Sequence, residues 1–246
     1  MAADYPQILP IGDAAFLVLF ADAISDGVND AAVSFCRRVE EARLPGIIET
    51  VSTSRSVLVH FDPLTHPFHI VRQRLGEMLA QHDDTGNAEP IHRRCWDIPV
   101  CYGGEFGPDL PDVAALLGVS EADAVTDHQS TAIRVNMIGF APGVLYCGLL
   151  GPRWDLPRLQ HAKPNVPAGS VSVAVRQTVI YPLAYPTGWR TIGRTPLSSF
   201  DPLADPPMRI RQGDEIRFRA IDADEFAALS ADRKRLAFSE TRDSPS

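Results

Sequence analysis

The sequence predicts an α+β protein built in two parts. A small β-α-β-β-α domain occupies residues 1–88, a β-rich domain of barrel or sandwich type occupies 89–228, and a polar tail, 229–246, follows. Three observations carry this prediction. Two stretches of helical periodicity alternate with short apolar runs before residue 82. The polar, turn-forming segment HDDTGNAEP (82–90) marks a linker. From Thr131 to about Ala220 the helical period vanishes, and β-rich runs broken by proline and glycine replace it.

The elements follow in order. AFLVLF (15–20) is short, apolar and bounded by turn formers, as a buried strand would be. From Ser25 to Arg43 apolar residues recur at helical spacing (Val28, Ala31, Ala32, Phe35, Val39), and Pro45-Gly46 stops the helix. IIETVSTSRSVLVHFD forms two strands around Thr53 to Arg55, with Val57, Val59 and Phe61 alternating. Pro67 opens a second helix whose inward side carries Ile70, Val71, Leu75, Met78 and Leu79. CWDIPVCYGG then gives a strand ending in a glycine turn, followed by two short helices. The second starts at Ser120, with Asp123 three residues on as an acidic variant of the capping box. TAIRVNMIG, SVSVAVRQTVIYPL, WRTIG and MRIRQGDEIRFRAI supply the β-rich runs, with QGDE (212–215) as a hairpin turn between MRIR and IRFRAI. The tail is expected to fray, with at most one helical turn.

Composition narrows the function. The chain has 246 residues, 45% hydrophobic and 22% charged, an ordinary globular balance. A net charge of −8 gives nucleic-acid binding no electrostatic support. Lys163 and Lys234 are the only lysines, so nearly all positive charge is arginine. Cys36, Cys95, Cys101 and Cys147 form no CxxC pair. No apolar run approaches the roughly 18–20 residues of a membrane span, and MAADYPQILPIGD does not resemble a signal peptide. A reduced, soluble, cytoplasmic protein is therefore expected. His60, His66 and His69 match no metal-ligand spacing and are expected as surface loop residues; no metal site is expected.

Walker-A, GxGxxG, GxSxG and HExxH patterns are missing from the sequence. Two other blocks are unusual. GFAPGVLYCG (139–148) is too apolar for a solvent loop and too rich in glycine for a strand. In VPAGS, Pro167, Ala168 and Gly169 precede Ser170; this is either a strand-entry turn or a turn presenting backbone N–H groups, with the hydroxyl, to an oxyanion. Gln177 and Thr178 either end a hairpin or point into a pocket. Trp189 and Tyr181 are core residues or stacking platforms. Arg194, preceded by glycine in GRTP, is the arginine best placed to bind a carboxylate or phosphate. His128, near a helix C-terminus, makes a cap contact or serves as general acid or base. Cys147, with no basic neighbour in sequence, is a small buried residue rather than a nucleophile.

Taken together, IPVCYGGEFGPDL, HQS, GFAPGVLYCG, VPAGSVSVAVRQTVIYP and PTGWRTIGRTPLSSFDP resemble, in order, the family of the 5-oxoprolinase B subunit. This family is also known as allophanate hydrolase subunit 1 or carboxyltransferase subdomain C, and it includes a sporulation-kinase inhibitor. Residues 97–202 match in motif and the first 90 in pattern. The resemblance implies a cyclophilin-like β-barrel after the small domain. It also implies a homologous second subunit, a third catalytic component, and ATP used by the complex to open 5-oxoproline or a related amide or lactam. Two alternatives come with it: a carboxyltransferase half acting on urea with carboxybiotin, and a protein-binding inhibitor of a histidine kinase. It implies that the loop 139–148 lines a pocket; joined to the residue readings above, the expected substrate pocket is Gly139, Phe140, Pro142, Gly143, Tyr146, Pro167, Ala168, Gly169, Ser170, Gln177, Thr178 and Trp189, with His128 and Arg194 as catalytic groups. No nucleic acid or membrane partner is implied, and the isolated chain is expected to be inactive. The sequence departs from the family pattern at Val144, Cys147, Ser172, Ala174, Val175, Val179 and Asn165, and in PTGW for PGGW. Added side chains narrow a glycine-lined pocket, and Asn165 in place of an arginine weakens anion binding, so a different small amide or lactam is a further expectation.

Overall fold

A computed structural model describes residues 4–81, 94–130 and 132–231. The chain divides into two compact units, one up to residue 91 and one from residue 92. The expected linker, 82–90, lies outside the described residues.

The first unit comprises β1 (Gln7–Ile11), β2 (Ala15–Leu19), α1 (Asp26–Ala42), β3 (Ile47–Ser52), β4 (Ser56–Phe61) and α2 (Phe68–Ala80). Its sheet is antiparallel in the order β1-β2-β4-β3. Register places Phe16 opposite Val59 and Val18 opposite Val57. These four residues and Phe61 share one face, over which Phe35 and Val39 of α1 and Val71 and Leu75 of α2 pack. Ser25 caps α1 by accepting from the Val28 N–H, and Arg43 ends it in the left-handed region. The expected β-α-β-β-α order lacked β1. Pro10 argues against a central strand, but β1 is an edge strand, where a missing N–H leaves no ladder bond unmade. Ile70 faces outward, not inward as its spacing suggested.

The second unit opens with β5 (Cys95–Tyr102), α3 (Leu110–Leu117) and α4 (Glu121–Gln129), the last capped reciprocally by Ser120 and Asp123. There follow β6 (Ile133–Ile138), β7 (Leu145–Gly148), a 3₁₀ turn at Pro152–Trp154, β8 (Lys163–Val166), β9 (Ser170–Ala174), β10 (Gln177–Ile180), β11 (Tyr185–Thr187), β12 (Arg190–Arg194), β13 (Glu215–Ile221) and α5 (Ala223–Ala231). Seven strands close into a barrel in the order β10-β7-β6-β13-β5-β12-β9, and β8 pairs separately with β11. Ile98, Val135, Cys147, Val173, Ile192 and Phe218 belong to its main core. A second cluster gathers Val144, Val166, Val179, Tyr181 and Trp189.

Two expectations are corrected here. MRIR is not a strand, and QGDE does not turn a hairpin: β13 pairs in parallel with β5 and antiparallel with β6. The buried Asp214 carboxylate explains this. It accepts from Arg94 Nε and Nη2 (3.0 and 2.6 Å), Trp96 Nε1 (2.7 Å) and the Arg211 N–H (2.8 Å), tying the start of β13 to the start of β5. The tail expected from residue 229 begins as helix, since α5 runs to Ala231; residues 232–246 lie outside the described ones. Among the described residues no helix is long and apolar enough to cross a membrane.

Candidate functional site

One cavity of about 500 Å³ opens at the end of β12. Its wall is made by the turn before β9, the irregular chain after β12 and one side of α5. Gly169 brings the first two together. It sits at φ +81°, and a Cβ there would lie 2.2 Å from the Thr195 carbonyl oxygen, so glycine alone lets the two backbones meet. Arg194, half-buried, lies across this junction. It donates from Nε and Nη2 to the Ala168 carbonyl at 3.3 and 3.1 Å, with its guanidinium 5.5 Å from the centre of the Phe226 ring. Among the described residues no carboxylate pairs with it. Arg209 and Asp201 also line the cavity.

The GFAPG block stands behind this wall. β6 and β7 are joined by the loop 139–144, closed by Gly139 N–H donating to the Val144 carbonyl at 3.2 Å. Gly143, at φ +77°, packs so closely on Phe200 that a Cβ would lie 2.4 Å from the Phe200 Cβ. Its carbonyl accepts from Ser199 Oγ at 2.5 Å. Ser199 and Phe200 line the cavity; residues 139–143 do not. The loop therefore shapes the wall rather than forming its surface. Phe140, held at φ +71°, and Pro142 are exposed at the loop rim, with Phe140 edge-on to Tyr185 at 5.8 Å.

The remaining expected site residues fall elsewhere. The VPAGS turn does not present an oxyanion hole. Gly169 N–H donates to the Tyr181 carbonyl (2.7 Å), and Ser170 donates from both its N–H (3.2 Å) and its hydroxyl (2.7 Å) to the Pro167 carbonyl, so these donors are consumed in building the turn. Pro167 itself is exposed and does not line the cavity. Tyr146 and Trp189 meet edge to face at 6.0 Å in the second cluster, where Arg158 lies 5.3 Å over Trp189. Gln177 and Thr178 begin β10 and are buried. The hairpin turn before them is Val175-Arg176, both at positive φ.

His128 lies inside the barrel unit, fully buried. Its Nδ1 is 2.8 Å from the Tyr102 hydroxyl and its Nε2 is 2.9 Å from Thr178 Oγ1, and its ring stacks on Phe218 at 4.5 Å. Burial lowers its pKa from 6.5 to about 3, against a smaller raising effect of Asp127. A neutral imidazole with both nitrogens engaged and no solvent path is a core bridge. Neither the cap contact nor the proton-transfer role fits it. Burial likewise pushes the Cys147 thiol pKa up, which keeps it protonated and inert. Among the described residues no group of three or more His, Cys, Asp or Glu side chains is placed to hold a metal ion.

Of the fourteen residues expected at the site, the fold thus brings Ala168, Gly169 and Arg194 to the cavity, with Gly143 supporting its wall. The sequence reading missed Arg209, Asp201 and Phe226. The density of prolines between Pro196 and Pro207 was a usable signal for an irregular, rigid wall. Phe226 sits in the short, alanine-rich segment ADEFAALSA and gave none.

The sequence that folds into this barrel matches a known family. Residues 6–210 match the carboxyltransferase domain family, subdomain C and D, and the chain belongs to that family. It is 36% identical over 232 residues to the 5-oxoprolinase B subunit of Bacillus subtilis (strain 168), covering 90% of this chain and 95% of that protein. Among solved structures, TTHA0988 is 31% identical with a TM-score of 0.73 over 85% of this chain, which spans 40% of that longer one. The urea amidolyase of K. lactis superposes with a TM-score of 0.78 over 92% of this chain and 15% of that one; at 17% identity this is a likeness of fold.

Proposed function

We propose that this chain is the substrate-holding subunit of an ATP-dependent amidohydrolase complex of the 5-oxoprolinase type, opening 5-oxoproline or a related cyclic amide together with a homologous second subunit and a third, catalytic one. The observation that carries the proposal is Arg194 at the edge of a cavity of about 500 Å³, with a wall of prolines and Phe226 and no carboxylate partner among the described residues. That volume is within the usual range for a small-molecule site. A guanidinium held on the Ala168 carbonyl keeps further N–H donors for an incoming carboxylate. The apolar part of the lining, the prolines and Phe226, lowers the local dielectric and strengthens that contact.

The chain's own residues bind and orient. His128 is sealed away, and the Gly169 and Ser170 donors of the VPAGS turn are spent on the chain's own carbonyls, so this turn offers no row of N–H groups to a nucleotide phosphate. ATP and the groups that move protons are accordingly assigned to the partner subunits. The homology along 95% of a protein named as the B subunit of 5-oxoprolinase supports the subunit role.

The test is co-expression of the chain with its neighbouring reading frames and assay of ATP-dependent glutamate release from 5-oxoproline. The reconstituted complex should turn over and the isolated chain should not; turnover by the chain alone would overturn the subunit role. The family description favours a second reading, carboxyl transfer from carboxybiotin to urea or a similar amide. Co-purification of a biotinylated partner, and no glutamate release, would select it.

A further inference from the structure

We infer that helix α5 is the specificity wall of the Arg194 cavity and that Phe226 is the positioning residue that holds the Arg194 guanidinium in place; this rests on the cavity being the amide-substrate site. Phe226 is clamped from two sides. Its ring is 5.5 Å from Arg194 Cζ and 4.8 Å, tilted, from the ring of Phe106. Phe106 is itself fixed in the turn after β5, where its N–H donates to the Gly103 carbonyl at 3.0 Å. The next residue, Gly107, lies so close to β12 that a Cβ would sit 1.9 Å from the Ile192 carbonyl oxygen. The clamp therefore runs from the β12 backbone through Phe106 and Phe226 back to Arg194 at the end of the same strand.

The rest of α5 is held lightly. None of its residues is fully buried, and its start is tied by Arg219 to Glu225 (2.9 Å) and by the Glu225 N–H donating to Asp222 Oδ1 (2.8 Å). Ser230, one turn beyond Phe226, also lines the cavity, so one side of the helix faces the guest. This wall lies outside residues 6–210, the span matched by the family. Ala168, Gly169 and Arg194 come from within that span; α5 follows it, as barrel strand β13 does. The anion contact thus comes from the end of a barrel strand, whereas the reach and shape of the cavity on one side come from α5.

A long arginine side chain has many rotamers, and a ring against its flat face removes most of them before the ligand arrives. Loss of the ring should therefore weaken ground-state binding and leave the chemical step alone. In the reconstituted complex, Phe226→Ala should raise KM for 5-oxoproline about tenfold, with kcat within about twofold of wild type. It should also narrow the preference for 5-oxoproline over its six-membered lactam homologue, 6-oxopiperidine-2-carboxylate. Phe226→Tyr should restore both values, because a phenol ring covers the guanidinium equally well. Phe226→Leu fills the same space without a π face and guards against misfolding of the alanine variant; its KM should fall between those of wild type and Phe226→Ala.

Arg194→Ala, measured alongside, separates the two levels of the proposal. A raised KM in Arg194→Ala, with KM and lactam preference unchanged in both Phe226→Ala and Phe226→Leu, overturns the α5 inference alone. Unchanged KM in Arg194→Ala removes the cavity from substrate binding, and the inference falls with it.

Discussion

His128 and Arg194 belong to one folding unit, and their surroundings are opposite. The imidazole is enclosed by Trp154, Phe218, Tyr102 and Thr178, with a hydroxyl on each nitrogen. The guanidinium is held by one carbonyl and one ring at the edge of an open cavity. Both residues carry chemistry that could serve catalysis. The difference is direction: α4 turns His128 into the barrel unit's interior, while β12 ends at Arg194 where the chain leaves the sheet. A polar group whose hydrogen bonds are all satisfied inside a core specifies the fold, and one with spare donors at an opening is available to a guest.

The largest expected effect lies on the buried side. His128→Ala removes a ring from the core and leaves the Tyr102 and Thr178 hydroxyls without it. It should destabilise the unit by about 3–4 kcal/mol in urea unfolding. Loss of turnover without loss of stability would instead reinstate His128 as a catalytic group.

The same histidine makes a pH prediction. Its folded pKa, about 3, is depressed below the ordinary 6.5, so the unfolded chain takes up this proton first as the pH falls. Its contribution is complete above about pH 6.5 and is lost toward pH 3, at up to ~1.4 kcal/mol per unit. A His128→Gln variant should therefore lose less stability than wild type between pH 7 and 5; equal losses would mean that His128 protonates within the folded protein.

Gly143 sharpens the comparison from the wall side. Gly143→Val places a branched side chain at positive φ against Phe200 and should cost about 2–3 kcal/mol. It should impair activity as well, through displacement of Ser199 and Phe200. A variant with normal stability and turnover would show that the loop gives way without moving the wall. Smaller, and opposite in sign, is Val175→Gly. Val175 sits at φ +44° in a two-residue hairpin turn, and relief of that strain should stabilise the unit by about 1 kcal/mol, read as a higher unfolding midpoint.

Legibility followed the range of the interactions. α1, α4 and the strands with clear alternation were readable because their signals are local: helical spacing stopped by Pro45-Gly46, Ser120 as a cap, Val57-Val59-Phe61 as one face. β1 was hidden because Pro10 is a breaker everywhere except at an edge. The pairing of β13 was hidden because Asp214 chooses partners about 120 residues away, and no local pattern of MRIR or IRFRAI encodes that. The site divides in the same way. Gly169 and Arg194 were legible because a glycine turn and an arginine directly after a glycine are local features. The inward use of the Gly169 N–H was not, since it depends on where the Tyr181 carbonyl lies. Phe226 was not legible either, because only the closed barrel brings it to Arg194.

Arg194→Ala should have the smallest effect on stability, within about 0.5 kcal/mol, since it removes a partly exposed side chain from the edge of a cavity. Its effect on function tests the central claim most directly. In the reconstituted complex, steady-state kinetics of ATP-dependent glutamate release should show KM for 5-oxoproline raised at least about tenfold by Arg194→Ala, as expected for loss of a charge-assisted hydrogen bond to a carboxylate. A variant complex with wild-type KM and kcat would contradict the assignment of this cavity to the substrate.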